Sequence, residues 1–203
     1  MKQRNAFTLV EMLVVITIIG ILSFLAVSSY GSARRTAQLN ILVDTVVSSF
    51  KQQQGLAKSG RVDEDGYRKC YGLYFSKADE ESNEGSKIQD VETRYYAFLE
   101  DGVLGKADWC DLDNVSLEDM QADGDYELKV LKKYGQKETA ILILFKPPFG
   151  RIVVGNLSGV NAPEQSVSSD INIGIALLGE ENTKSIRFDT ATGLAERVTS
   201  INE

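Results

Sequence analysis

The stretch FTLVEMLVVITIIGILSFLAVSSY, Phe7 to Tyr30, decides how the chain is read: Glu11 is the one charge among its 24 residues. A helix rises 1.5 Å per residue, so about 20 residues cross the hydrocarbon core of a bilayer. From Met12 to Ala33 no side chain is charged at neutral pH, and the stretch reads as a membrane span. Three readings compete for it. A secretory signal has a basic start, an apolar core of about 7–15 residues and a small-x-small cleavage site; this apolar part is longer, with Ala26-Val27-Ser28 the nearest match to such a site. A plain single-pass anchor must explain Glu11, because a carboxylate inside a span costs at least about 2.5 kcal/mol on insertion scales unless it snorkels to the membrane edge. The third reading keeps Glu11 because something cationic meets it.

The helical pattern continues past the span. Leu39, Leu42, Val43, Val46, Val47 and Phe50 fall at i, i+3, i+4, i+7, i+8 and i+11, an apolar stripe along one face. No proline interrupts the run, and Gly55 and Gly60 supply stop signals. One helix from Phe7 to near Gln54 would be roughly 70 Å long. Its first half is apolar all round, and its second half is amphipathic and predicted to pack on a domain.

Taken whole, the 203 residues have the composition of a folded protein, with 43% hydrophobic and 25% charged side chains. There is no histidine, which excludes Ser-His-Asp and Cys-His nucleophile systems and imidazole metal sites. The two cysteines, Cys70 and Cys110, are too few for a zinc ribbon and too far apart for a CxxC pair. Lys2, Arg4 and Glu11 are the only charges before residue 32; setting them aside from 22 basic and 29 acidic residues leaves 20 and 28, a net of −8. Such a surface disfavours bulk binding to nucleic acid. Beyond Gly60 the pattern is that of short strands. Tyr71, Leu73 and Phe75 alternate, Arg94 to Leu99 is strand-prone, and Ile171, Ile173, Ile175 and Leu177 alternate with smaller or polar residues. Tyr126–Lys133 leads through Tyr134-Gly135-Gln136 to the apolar run Ala140–Phe145, read as one hairpin with a strand buried on both faces. Lys146–Gly150 reads as a turn before Ile152–Val154, and Ser185–Phe188, a turn at 189–193 and Leu194–Val198 close the chain.

The start Lys2-Gln3-Arg4-Asn5-Ala6 followed by Phe7-Thr8-Leu9-Val10-Glu11 closely resembles the class III signal of type IV prepilins and type II secretion pseudopilins. The resemblance covers residues 2 to about 35. It implies a leader at 1–6, cleavage between Ala6 and Phe7 by prepilin peptidase, and N-methylation of Phe7. It further implies a transmembrane and filament-core helix at 7–31, an amphipathic helix at 32–60 and an extracytoplasmic β-rich head at 61–203. The fold expected is α+β and pilin-like, a long N-terminal helix packed on a C-terminal antiparallel sheet. In that family the terminal amine of Phe7 in a neighbouring subunit meets the carboxylate at the position of Glu11, which favours one axial stagger. Two departures stand out: Ala6 replaces the family's glycine before the cut, and Ser28 replaces the proline of many major pilins, which tilts the reading toward a minor subunit. Gly20 is at a family-like position.

Residues 139–199 are similar in outline to H-type minor pseudopilins and their pilus relatives, in which a strand ending near F-x-P-x-G and a final hairpin complete the sheet. Placed outside the cytoplasm, Cys70 and Cys110 lie where disulfides persist, so a bridge and two buried thiols are both open, with the bridge favoured. The acidic runs Asp63-Glu64-Asp65, Asp79-Glu80-Glu81 and Asp108 to Asp113 read as solvated loops. Some secretion pseudopilins bind calcium, but the best loop match, Asp119, Gln121, Asp123 and Gly124, fails where Val130 replaces the bidentate glutamate, and no metal ligand is assigned. Lys129, Lys132, Lys133 and Lys137 form the one basic cluster, the place to test for the DNA binding known among minor pilins. Gly155–Gly159 is no nucleophile elbow and Gly105-Lys106 no P-loop, so no catalytic or cofactor residue is assigned.

The reading is therefore a non-enzymatic minor pilin or pseudopilin in the cytoplasmic membrane, its head outside. Its implied partners are other pilin subunits, the prepilin peptidase, an assembly platform with its ATPase, and the lipid bilayer. The alternatives are a membrane-anchored binding domain that does not assemble, and a secreted enzyme using carboxylates.

Overall fold

The computed structural model describes residues 8–62, 64–78, 85–96, 109–112, 115–120, 125–155 and 170–198. Among the described residues are one helix, α1 (Leu9–Ser59), and eleven strands: β1 (Arg68–Ser76), β2 (Lys87–Tyr96), β3 (Trp109–Cys110), β4 (Ser116–Asp119), β5 (Tyr126–Lys133), β6 (Gln136–Lys137), β7 (Ala140–Lys146), β8 (Arg151–Gly155), β9 (Asp170–Leu177), β10 (Thr183–Asp189) and β11 (Leu194–Val198). This is the expected α+β, pilin-like class. The chain divides into two compact units, Met1–Gln38 and Leu39–Glu203, so the amphipathic part of α1 belongs with the strands.

In the first unit α1 begins after Thr8 and continues without a break. All thirteen large apolar side chains from Leu9 to Leu25 are at least 48% exposed. No described residue covers them. Thr17, the polar side chain in their midst, turns its hydroxyl back onto the carbonyls of Leu13 (2.9 Å) and Val14 (2.8 Å), which satisfies it without water.

In the second unit the stripe behaves as its spacing predicts. Leu39, Leu42, Val43, Val46 and Phe50 are buried and Val47 is half-buried, while Ile41 faces outward. The buried face continues through Gln53 and Ala57. The helix does not stop near Gln54; it passes Gly55 and ends at Ser59, with Gly60 at φ +63° donating its N–H to the Ala57 carbonyl. A left-handed residue just beyond a helix is where glycine is cheapest, and Gly55, having no such φ, is carried along by the packed face on either side.

The strands form two antiparallel sheets, where the family resemblance implies a single one. The first runs β3-β2-β1-β7-β8, with β4 also pairing β2; the second runs β11-β10-β9-β5-β6. Phe50 joins them: its ring lies 5.8 Å from Phe75 on β1 and 4.8 Å from Phe188 on β10. Period-2 alternation puts Leu73 and Phe75, Ile141 and Ile143, and Ile171, Ile173 and Ile175 into this shared core. The opposite face of the first sheet buries a smaller cluster of Cys70, Val91, Tyr95, Cys110, Leu142 and Leu144. Two glycines permit close strand approach: a Cβ at Gly72 would collide with the Ile143 carbonyl on β7, and one at Gly174 would come within 2.9 Å of Val130 Cβ on β5.

The expected hairpin between Tyr126–Lys133 and Ala140–Phe145 is not formed. Tyr134 and Gly135 both have positive φ, +56° and +78°, the geometry of a tight two-residue turn. It returns β5 directly onto Gln136–Lys137, and the chain then crosses to the first sheet, where the Thr139 carbonyl accepts the Lys77 N–H. There β7 lies between β1 and β8. A strand apolar on both faces needs an interior position, and the edge beside β5 could not bury it. The closing meander β9–β10–β11 and the strand at Ile152–Val154 are formed as read.

Candidate functional site

The start of α1 is built by Thr8 and Glu11. Thr8 is the N-cap and Glu11 the third helical residue, the T-x-x-E spacing of a capping box. The Glu11 N–H donates to Thr8 Oγ1 at 3.3 Å, while the Thr8 N–H and hydroxyl each donate to Glu11 Oε2 at 2.9 Å. A free helix N-terminus carries unpaired N–H groups and a partial positive charge, so a carboxylate there is stabilised. Both bonds go to Oε2. Oε1 has no partner among the described residues, and the negative charge has no cationic mate there.

This alters the argument from cost. Glu11 is not an unsatisfied group awaiting a neighbour; it is half-satisfied by its own chain and oriented by Thr8. The thirteen apolar side chains behind it would gain on the order of 20 kcal/mol on leaving water. Against that, the roughly 2.5 kcal/mol for a carboxylate decides where the helix sits rather than whether it inserts. Thr8 was missed as a functional residue at the level of sequence, although the T-x-x-E signal ahead of an apolar run is legible there. Ala6 and Phe7, assigned to cleavage and methylation, lie outside the described residues.

In the head, Cys70 and Cys110 are joined by a disulfide, both buried, with their Cα atoms 6.1 Å apart. Cys70 is on β1 and Cys110 on β3, so the bond reaches across β2, whose Tyr95 pairs with Cys110. Beside it the buried Thr93 hydroxyl donates to the Asp111 carbonyl. On the same sheet a polar hollow of about 580 Å³ is lined by Glu64, Asp65, Lys69, Glu92 and Arg94 among others. Four of these five charges are matched: Lys69 pairs with Glu92 and Arg94 with Asp65, and the Arg94 guanidinium lies 5.2 Å from the Tyr67 ring centre.

The remaining sequence candidates are scattered. Lys129 pairs with Glu127 at 2.7 Å, Lys133 lies over the Tyr134 ring, and Lys132 and Lys137 face each other across β5 and β6. Of the calcium-like loop, Asp119 accepts the Gln89 amide at 2.7 Å and Val130 is on β5, while Gln121, Asp123 and Gly124 are outside the described residues. Asp63, Asp79-Glu80-Glu81, Asp108 and Asp113 are also outside them. Among the described residues no three carboxylates or thiols converge as a metal site.

Against known proteins, residues 1–27 match the family model of the prokaryotic N-terminal methylation motif. No curated protein and no solved structure gives a significant match. The motif supports a type IV pilin-like protein, and with one helix among the described residues long and apolar enough to cross a membrane it fits a single-pass membrane-anchored chain.

Proposed function

We propose that this chain is a non-enzymatic structural subunit, a minor pilin or pseudopilin, of a type IV-like filament. In this reading prepilin peptidase cuts between Ala6 and Phe7, the new amine is methylated, and the subunit leaves the cytoplasmic membrane by packing α1 against the helices of other subunits. A platform and ATPase drive that step; pilus growth, protein secretion and DNA uptake are the settings in which such filaments work. The observation that carries the reading is the methylation motif continuing into a helix that exposes apolar side chains on every side. A bilayer and a bundle of like helices are the two environments that cover such a surface.

Glu11 gives the assembly its register. Thr8 holds Oε2, and Oε1 is left for the Phe7 amine of a neighbouring copy, so the charge is neutralised at one axial offset only. The same capping box also favours a second reading, a membrane anchor that never assembles, since it eases Glu11 within a single chain.

The amino terminus of the mature protein separates these. The expected result is a chain beginning with N-methyl-Phe7. Retained Met1 supports the anchor instead, and a start beyond residue 26 would mean a secreted protein and sink the proposal.

A further inference from the structure

The head carries two like-charge pairs, of opposite sign, one in each sheet and each formed between an edge strand and its inner neighbour. At the edge of the second sheet Lys132 on β5 stands directly opposite Lys137 on β6. On the first sheet Asp90 on β2 stands directly opposite Glu118 on β4. Directly opposed residues share a face of the sheet, and like charges in that position destabilise it. Neither pair is relieved by a counter-charge: Lys132, Lys137 and Glu118 make no ion pair among the described residues, and Asp90 accepts a neutral amide hydrogen from Gln53 at 2.8 Å. All four residues of β4 are exposed, as are both residues of β6.

We propose that these edges meet between copies: the Lys132–Lys137 pair of one head docks on the Asp90–Glu118 pair of a second. The inference rests on the filament reading above and adds a contact between heads to the contact between helices. With a net charge of −8 from residue 32 onward, the chain beyond its apolar helix repels other copies of itself and repels a phosphate backbone alike. Only a local match of opposite charges brings two such surfaces together, and this chain supplies both halves of the match. A contact between two different patches is heterologous, the kind that propagates a helical array.

The test is zero-length carbodiimide coupling of amines to carboxylates in membranes holding the full chain and the filament components of its host, prepared from a mixture of isotope-labelled and unlabelled copies. The expected product is a peptide pair joining Lys132 or Lys137 to Glu118 or Asp90 in which one peptide is labelled and the other is not. The double variant Lys132→Glu, Lys137→Glu is expected to lower that association about fivefold, the size of an exposed charge contact. Adding Glu118→Lys to it recovers part of the association, since Asp90 keeps its negative charge. The double variant exchanges one directly opposed like-charge pair for another, so the melting temperature of the head is expected to stay where it was, as thermal unfolding checks. Co-association of copies without this coupling overturns the head contact and leaves the filament reading standing. Loss of all co-association overturns both. If the double variant alters only retention on duplex DNA, the basic pair serves nucleic acid and the proposal is wrong.

Discussion

Replacing Cys70 and Cys110 together by alanine removes a cross-link between residues 40 apart in sequence. In the chain-entropy treatment, closing a loop of that size constrains the unfolded ensemble by about 4 kcal/mol at room temperature. At about 2–4 °C per kcal/mol for a domain of this size, the head should melt roughly 8–16 °C lower. The structure also says where the loss falls. β3 is two residues long and is held to β2 by the pairs Tyr95↔Cys110 and Tyr96↔Trp109, so the disulfide is its main tether. The helix–sheet core around Phe50 contains neither cysteine. Thermal unfolding of the full chain in detergent measures the total. Hydrogen exchange then locates it: residues 109–112 should lose protection well before Leu39–Ala57 does. A double variant that melts within about 2 °C of the parent, which is a change of no more than ~1 kcal/mol, would refute the reasoning, as would two free thiols in native protein.

Three further outcomes follow from particular contacts. Phe50→Ala, which empties the site between Phe75 and Phe188, should cost about 3–5 kcal/mol, whereas Ile41→Ala on the exposed side of the same helix should stay within about 0.5 kcal/mol; denaturant titration of both checks it. Thr8→Ala should cost about 1 kcal/mol of helix-end stability and lower incorporation into filaments, with insertion unchanged, as fractionation and filament recovery would show. Asp189 closes the β10–β11 turn by accepting the Ala191 N–H and the Thr192 hydroxyl, and these bonds, the backbone one first, hold its carboxyl below the usual 3.8. Its contribution is therefore complete above pH 3.8 and lost as pH falls through the lower folded value. An NMR titration should find that low midpoint, and Asp189→Asn should lose the dependence.

The helix was legible because its signals are local. A charge-free run and a stripe at 3.6-residue spacing do not depend on what they touch, and the strands at Tyr71–Phe75 and Ile171–Leu177 declared themselves by alternation in the same way. Partnership between strands is not local. Ala140–Phe145 looked like the second arm of a hairpin because it follows β5, yet Tyr134 adopts a positive φ rare for its residue type and closes the turn early. Its apolar double face then drew it into the other sheet. Gly55 misled as a stop because buried neighbours on either side outweighed its weak helix propensity. At the site, the cost of Glu11 was legible but its relief by Thr8 was not weighed, although the spacing that produces it was present. The opposed pairs Lys132–Lys137 and Asp90–Glu118 needed the register itself.

The central claim is that the apolar face of α1 is covered by the same face of neighbouring subunits. Single cysteines placed along Val10–Leu25, with Cys70 and Cys110 already bonded to each other, test it in host membranes under mild oxidation. Crosslinked dimers should recur at one set of positions and diminish when Glu11 is replaced by alanine. Monomers at every position, with the head folded and the other filament components assembled, would contradict it.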